Sequence, residues 1–204
     1  TKYPDGYFDV AIGNVPFGDY RVNDPVYNSH GFLIHDYFFA KTLDKLRAGG
    51  VAAYITTKGT MDKESTKVRE FLFKKAELLG AIRLPNTAFK NAGTKVTADI
   101  LFLQKREKEI ENPEWIAVTE DAQGFRINSY FVQHPEMILG TMQEISGTYG
   151  METTCVEKEG VPLGERLRAA ISHITGHIPE RVEEERAEFR YTGRKKGRYH
   201  SVPD

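Results

Sequence analysis

The sequence predicts an α/β fold in which a mainly parallel sheet ends in an antiparallel hairpin and is followed by a small α+β extension. Two observations lead to this prediction. Strands and helices alternate over the first hundred residues, as expected of a parallel sheet. The last two strands of this part have no helix between them, so they are expected to pair as a hairpin.

The first elements follow from local patterns of apolar residues. Tyr7 to Ile12 is a predicted strand, and Phe32 to Arg47 carries apolar residues at helical spacing. Gly49-Gly50 is expected to end that helix, because glycine is the usual residue after a helix C-terminus. Val51 to Thr56 is a continuous β-prone run, which is typical of a strand covered on both faces.

The next elements complete the predicted sheet. A second helix is expected after Ser65, which is a plausible N-cap residue. Leu78 to Leu84 is a predicted strand that Pro85 stops, and Thr97 to Gln104 is the last strand.

The pattern changes after Arg106. The expected elements, in chain order, are a charged linker (Glu107–Pro113), two short extended segments (Trp115–Val118 and Ile127–Phe131), a brief helix (Pro135–Met142), an edge strand (Tyr149–Val156) and a final helix (Pro162–Ile174). We therefore predict a main domain over residues 1–106, an α+β extension over 107–188, and a basic, flexible tail over 189–204.

Composition limits the class of protein. The chain has 204 residues, 40% of them hydrophobic, and a net charge of −1, which argues against DNA binding by the whole surface. No apolar run approaches the length of a membrane span, and no signal-like leader is seen. Cys155 is the single cysteine, so an internal disulfide and a cysteine zinc cluster are excluded. We expect a cytoplasmic protein without a membrane partner and a buried, unreactive Cys155.

A chemically informative tetrapeptide, Asn14-Val15-Pro16-Phe17, follows the first strand. Ligands of open α/β sheets bind outside the carboxyl ends of the strands. An amine on an aromatic ring is a poor nucleophile because its lone pair is delocalised into the ring. The Asn14 amide oxygen and the Val15 carbonyl can accept the two amine hydrogens, and Phe17 can stack on the base.

The chain resembles the S-adenosylmethionine-dependent N6-adenine DNA methyltransferases. It is most similar to the modification subunits of type I restriction-modification systems and to the DNA methylases of mobile elements. The resemblance covers about residues 7 to 104, in four blocks that stand in the family order: DVAIGNVPFG, FLIHDYFFAKTLDKLRAGGVAAYITTKG, KVREFLFKKAELLGAIRLPNTAF and TKVTADILFLQKR. It implies the C-terminal half of a Rossmann-like methyltransferase sheet.

Two departures from the family pattern stand out. The family usually has proline where Val15 stands, which predicts a less preorganised loop. The Gly-rich turn that holds the cofactor after the first strand of these enzymes is missing. The resemblance therefore implies that this is either a piece of a longer protein or a remnant that does not hold S-adenosylmethionine alone. Its cofactor-binding residues are unknown.

The resemblance also implies a substrate site. It places catalytic roles on Asn14, Val15, Pro16 and Phe17, and it makes Phe89 an aromatic residue that packs against a flipped target base. Lys58, Lys90 and Lys95 are candidate contacts to DNA phosphates, with solvated surface charge as the alternative. Lys58 belongs to a basic cluster after the second strand that also contains Lys63, Lys67 and Arg69. The expected partners are DNA and the remaining N-terminal part of the parent protein, and no metal is expected.

Other functions stay open at this point. The chain can be a non-catalytic DNA-positioning or interaction module derived from such an enzyme. It can also belong to a methyltransferase that acts on a protein glutamine amide or on RNA, because similar loops serve those acceptors. Phe89 can equally be an anchor that holds its loop to the core.

Overall fold

The computed structural model describes residues 3–147 and 150–181. Its main sheet has four strands in the order β1-β2-β4-β3, in which β1 and β2 are parallel and β4 runs antiparallel to both β2 and β3. The predicted α/β class and the closing antiparallel hairpin, β3 with β4, are confirmed. The chain from residue 182 onward, including the basic tail predicted over 189–204, lies outside the described residues.

The elements have the following bounds. The strands are β1 (Phe8–Asn14), β2 (Leu46–Thr57), β3 (Ala76–Leu84), β4 (Ala98–Lys105), β5 (Val118–Glu120), β6 (Arg126–Asn128), β7 (Gly140–Gly147) and β8 (Gly150–Glu157). The helices are α1 (Ile34–Lys45), α2 (Gly59–Asp62), α3 (Lys67–Lys75), α4 (Ser129–Gln133) and α5 (Leu163–Ile171). No helix in the described part of the chain is long and apolar enough to cross a membrane.

Several predicted boundaries are wrong. Helix α1 ends at Lys45 rather than at Gly49-Gly50, and both glycines lie within β2, where the pairing with β1 shifts register. Gly49 has a φ of 76°, which glycine adopts without strain. Thr66, not Ser65, is the N-cap residue of α3.

The extension also differs from its prediction. Within Ile127–Phe131, only the start is extended, because Asn128 caps α4 by accepting a hydrogen bond from the Tyr130 amide. Within Pro135–Met142, the helical part is a 3-10 turn over Pro135–Met137, and β7 follows. The predicted edge strand and the final helix correspond to β8 and α5.

One apolar core joins the sheet to the extension. Phe39 and Leu43 of α1 and Leu72 of α3 pack with the sheet, and all three are at most 1% exposed. Extension residues in the same core include Ile127, Phe131, Met137, Leu139, Met142 and Cys155. The division of the chain at residue 106 stays a prediction.

A buried charged side chain, Arg83, lies where β3 meets the extension. Arg83 makes two hydrogen bonds of 2.9 Å to Asp99 and an ion pair of 2.8 Å to Asp62. The Phe131 ring lies 4.3 Å from the guanidinium carbon. Beside this group, the Leu139 amide donates to the Arg83 carbonyl at 2.9 Å. A buried guanidinium is stable only with such partners, so sheet and extension depend on one another here.

The segment after α5 crosses the sheet. A Cβ at Gly80 would lie 2.8 Å from Ile174, and one at Gly49 would lie 2.6 Å from Pro179. Gln104 of β4 donates to the His177 carbonyl at 2.7 Å. A side chain at either glycine would collide with the segment after α5, so both positions need glycine for this packing.

Candidate functional site

The loops that carry most of the predicted site residues meet at one edge of the sheet. Asn14 pairs with Ile55 of β2, and Ala98 at the start of β4 pairs with both Thr57 and Leu84. The carboxyl ends of β1, β2 and β3 thus lie side by side with the amino end of β4. We call this the carboxyl edge of the sheet.

Asn14 is the last residue of β1 and is exposed at this edge. The next residue, Val15, is 2% exposed, and its amide donates to the Ile55 carbonyl at 3.0 Å. Proline has no amide hydrogen and could not make this bond. The bond and the buried side chain therefore fix the loop that was expected to lose order without proline.

Phe17 stands partly free of the core, with 45% of its surface exposed. The loop turns sharply behind it, because a Cβ at Gly18 would lie 2.6 Å from the Tyr20 ring. The Ile34 amide donates to the Tyr20 carbonyl at 2.9 Å, which ties the loop to the start of α1. The Phe17 ring is thus presented at the carboxyl edge by a loop that is held on both sides.

The remaining part of this long loop is attached to α1 through Asp24. The Asp24 carboxylate accepts hydrogen bonds from Lys41 at 2.9 Å and Tyr37 at 3.1 Å. The hydrogen bond from Lys41 lowers the pKa of Asp24. The Asp24 carbonyl also accepts from the amides of Tyr27 and Asn28. The bonds from Lys41 and Tyr37 fasten the loop to α1.

A cleft of about 480 Å³ opens at the carboxyl edge beside β2 and β4. Its lining includes three lysines of the predicted basic residues, Lys58, Lys63 and Lys95. Arg69 was wrongly expected at this surface, because it is 1% exposed and donates to the Ile116 carbonyl at 2.8 Å. Lys58 donates to the Thr153 hydroxyl at 2.8 Å, and burial lowers the pKa of its ammonium group. Lys95 is exposed. Asp62 and Glu152 also line the cleft, so its three lysines exceed its carboxylates by one.

Phe89 and Lys90 lie outside the lining of this cleft. Phe89 is half-buried and packs against the main core, while Lys90 is exposed at the start of a 3-10 turn. Asn14 to Phe17 also lie outside the lining, near the cleft along the same edge. The structure therefore brings Lys58 and Lys95 together and separates Phe89 from them.

The hairpin of β7 and β8 forms a wall of the cleft that sequence analysis missed. The Cys155 carbonyl accepts from the Asn86 amide at 2.7 Å, and the Cys155 amide donates to the Thr97 hydroxyl at 2.9 Å. Cys155 is fully buried, and burial raises the pKa of its thiol to about 12. This confirms that it is not a poised nucleophile. A signal for this role was the run of three polar residues, Glu152, Thr153 and Thr154, within the predicted edge strand Tyr149–Val156.

A group of titratable side chains lies next to the cleft, at the start of α1. Lys63 is 3.1 Å from the His35 ring nitrogen, which in turn lies 3.2 Å from the Asp36 carboxylate. Burial lowers the pKa of His35 and raises the pKa of Asp36, so their neutral forms are favoured. In residues 3–147 and 150–181, no group of three or more histidine, cysteine or acidic side chains is arranged to hold a metal ion.

Comparison with known proteins gives a family and several partial relatives. The family model for N-6 DNA methylase matches residues 2–159. The Defense against restriction protein B of Escherichia phage P1 is 34% identical over 111 residues, which cover 52% of this chain and 5% of that protein. The matched region is thus a small part of this relative.

Two solved structures overlap with about half of the chain. One is a Listeria monocytogenes protein described as a class I S-adenosylmethionine-dependent methyltransferase, with a TM-score of 0.41, 24% identity, and coverage of 53% of this chain and 35% of that one. The other is the M protein of the type I restriction enzyme EcoKI, with a TM-score of 0.37, 23% identity, and coverage of 48% and 21%.

Proposed function

The chain belongs to the N-6 DNA methylase family, and we propose that it forms the substrate-binding part of an S-adenosylmethionine-dependent enzyme that methylates the N6 amine of adenine in DNA. The observation that carries the proposal is the position of Asn14-Val15-Pro16-Phe17. This tetrapeptide leaves the carboxyl end of β1 in a fixed loop, next to a cleft lined by lysines.

In this proposal, Asn14 and the Val15 carbonyl prepare the amine for reaction. Both groups accept hydrogen bonds, so together they can bind the two hydrogens of an exocyclic amine. Binding both hydrogens favours a pyramidal nitrogen, whose lone pair then points away from the ring plane. Pro16 limits the backbone freedom of the loop, because its φ is fixed near −65°.

Phe17 supplies a stacking surface for the extruded base, and its 45% exposure supports this role. Phe89 is the second proposed aromatic contact, although its packing against the core supports the alternative role of a loop anchor. Lys58, Lys90 and Lys95 are proposed to contact DNA phosphates. Two of them line the cleft, and Lys90 lies on the loop between β3 and β4.

The loop between β1 and α1 lacks the Gly-rich turn that holds S-adenosylmethionine in the family. The connection from β1 to α1 contains Gly18 and Gly31, but the space at Gly18 is filled by Tyr20 and that at Gly31 is bordered by Arg21. We therefore assign cofactor binding to another segment of the parent protein. The outer edge of β1 is suited to such a segment, since Val10 and Ile12 are 45% and 80% exposed.

The parent protein is proposed to act on DNA in the cytoplasm. Residues 1–106 would form the substrate-binding half of its catalytic domain, and residues 107–188 would support it, followed by a basic tail over 189–204. Protection of DNA against restriction is a fitting role for the methylation, given the name of the phage P1 relative.

Replacement of Asn14 by Ala tests this function. In the protein that combines this chain with its cofactor-binding half, we expect N14A to lower the methyl-transfer rate by at least about a hundredfold and to weaken DNA binding by less than about threefold. Only groups that bind the transition state better than the ground state accelerate the reaction. Asn91→Ala, an exposed asparagine on the loop after Phe89, is the matched control and should change neither quantity. Unchanged turnover in N14A would contradict the proposal.

The assignment of the cofactor site has its own test. Calorimetric titration of the 204-residue chain with S-adenosylmethionine should show no measurable binding, because the Gly-rich turn that the family uses to hold the cofactor is missing from this sequence. A micromolar dissociation constant would overturn this part of the proposal.

A further inference from the structure

A second cleft, of about 620 Å³, lies beside β3, the strand at the opposite end of the sheet from β1. It is bordered by the amino half of β3, the segment 106–115 and helix α4. One wall consists of the rings of Trp115, Tyr130 and His134, so we call it the aromatic cleft. Its volume is in the range of sites that hold a small molecule or one large side chain.

The aromatic wall is a packed arrangement of three rings. The Trp115 ring meets Tyr130 edge to face at 5.3 Å and lies 5.7 Å from His134, while Tyr130 and His134 are 4.6 Å apart. Tyr130 is 6% exposed, and Trp115 and His134 are more open. The wall is therefore preformed and offers π surface to the cleft.

The backbone at Trp115 is held in an unusual conformation. Its φ of 62° is the one positive value among the non-glycine residues that the structure describes. Two buried side chains fix the flanking carbonyls. Asn128 donates to the Trp115 carbonyl and Arg69 to the Ile116 carbonyl, both at 2.8 Å. Such strain persists only where surrounding contacts impose it, and here the contacts hold the indole in the wall of the cleft.

The rim of the aromatic cleft is acidic. Glu77, Glu114 and Glu136 line it, together with Arg106, His134 and His173. Arg106 lies 3.6 Å from the Glu77 carboxylate and the His134 ring nitrogen lies 3.4 Å from the Glu136 carboxylate, so Glu114 is the lining glutamate without such a neighbour among the described residues. The adjoining segment 107–113 adds further negative charge, with three glutamates and one lysine. A phosphate would be repelled here, whereas a cation would be attracted by both the carboxylates and the faces of the rings.

We propose that the aromatic cleft binds an arginine side chain presented by a protein partner. A guanidinium group is planar, stacks on aromatic rings and forms paired hydrogen bonds with carboxylates, so it matches both features of the cleft. This site is distinct from the carboxyl edge proposed for methylation. Through this site, the surface beside β3 would bind a protein partner.

Trp115 makes the test direct, because it is the only tryptophan of the chain. Its fluorescence is followed during titration with N-acetylarginine amide, with N-acetylcitrulline amide, which has a similar shape but no charge, and with adenosine. We expect a saturable change with the arginine probe and at least about tenfold weaker binding of the citrulline probe. Equal binding of arginine and citrulline, saturation by adenosine alone, or no saturable change with any probe would overturn the proposal.

Charge variants locate the binding. Glu136→Gln and Glu114→Gln should each weaken binding of the arginine probe by about three- to tenfold, as expected for loss of a charge-assisted hydrogen bond. Glu144→Gln, at an exposed position of β7, is the matched control and should have no effect. Circular dichroism verifies that each variant is folded. If one of them unfolds, the other variant and the citrulline comparison still decide, and unchanged binding in both glutamate variants would refute the assignment.

Discussion

The two outer strands of the main sheet, β1 and β3, differ sharply in how they are covered. Strand β1 is mostly exposed, and Phe8, Val10 and Ile12 have from 36% to 80% of their surface accessible. Strand β3 is almost entirely buried under the extension. Within the described residues, the sheet therefore has an open border at β1 and a closed border at β3.

The closed border is stabilised by ion pairs, hydrogen bonds and a β-bridge. Ion pairs and hydrogen bonds join Arg83 to Asp99 and Asp62 without exposure to water, and the polypeptide continues the sheet through a bridge between Arg83 and Ile138. An open, apolar border is unusual in a finished domain because such strands invite pairing with another chain. The contrast supports the proposal that β1 receives a further segment and that β3 is the end of the sheet.

The largest expected effect comes from opening the closed border. Arg83→Leu leaves Asp99 and Asp62 buried without a cation, so we expect it to lower the free energy of unfolding by about 3–5 kcal/mol in urea titration. Arg126→Leu is the matched control, because Arg126 pairs with Glu64 at the surface and should contribute at most about 1 kcal/mol. Ile12→Thr on the open border should change stability by less than about 0.5 kcal/mol. Similar losses in all three would remove the distinction between the borders.

A smaller effect is expected at the strained residue next to the closed border. Glycine adopts positive φ without the penalty of about 1–2 kcal/mol that a Cβ brings. After allowance for the greater freedom of glycine in the unfolded chain, we expect Trp115→Gly to be more stable than Trp115→Ala by up to about 1 kcal/mol. Thermal unfolding measures the difference.

At a control position in a helix, the glycine variant should be less stable than the alanine variant. Phe38 lies in α1 with 40% of its surface exposed, and there Phe38→Gly should be less stable than Phe38→Ala by roughly 1 kcal/mol. If alanine is better than glycine at both positions, the positive φ of Trp115 is not a feature of the folded protein.

The open border and its loop could be predicted from the sequence, whereas the closed border could not. The pattern of β1 and the tetrapeptide after it are local, and the order of strands and helices in the first hundred residues followed from periodicity. The burial of Arg83 depends on partners 16 and 21 positions away in the chain, and no local pattern reveals them. Arginine within a β-prone run could equally have been a surface residue.

The wrong assignments have the same cause. Gly49-Gly50 was taken for a helix terminus because that is the usual local role of glycine, but these residues lie in β2 since the backbone of β1 passes close to Gly50. The extended assignment of Ile127–Phe131 missed that Asn128 is a capping residue, although asparagine before a short apolar run is a readable signal. The positions of Asn14 and Lys58 at the carboxyl edge followed from the order of the strands. The β7–β8 hairpin could not be placed beside the cleft, because its contacts there are with residues far away in the sequence.

The smallest change in stability is expected at Phe17, which follows the open border. Phe39 is 1% exposed, and Phe39→Ala should cost about 3–5 kcal/mol through lost burial and a cavity. Phe17→Ala should cost less than about 1 kcal/mol, because nearly half of the ring is already in contact with water. Phe89→Ala should fall between them, because its ring is half-buried against the core.

Function should separate from stability in the same series. In the complete enzyme, Phe17→Ala should weaken extrusion of the target base, which 2-aminopurine fluorescence at the target position reports. A stacking contact is worth roughly 1–3 kcal/mol, so the loss should be about fivefold or more. A Phe89→Ala variant that loses stability without a change in the 2-aminopurine signal would identify Phe89 as a loop anchor. If Phe17→Ala unfolds the chain as readily as Phe39→Ala does, then Phe17 belongs to the core, and the open border contributes no aromatic surface to the substrate site.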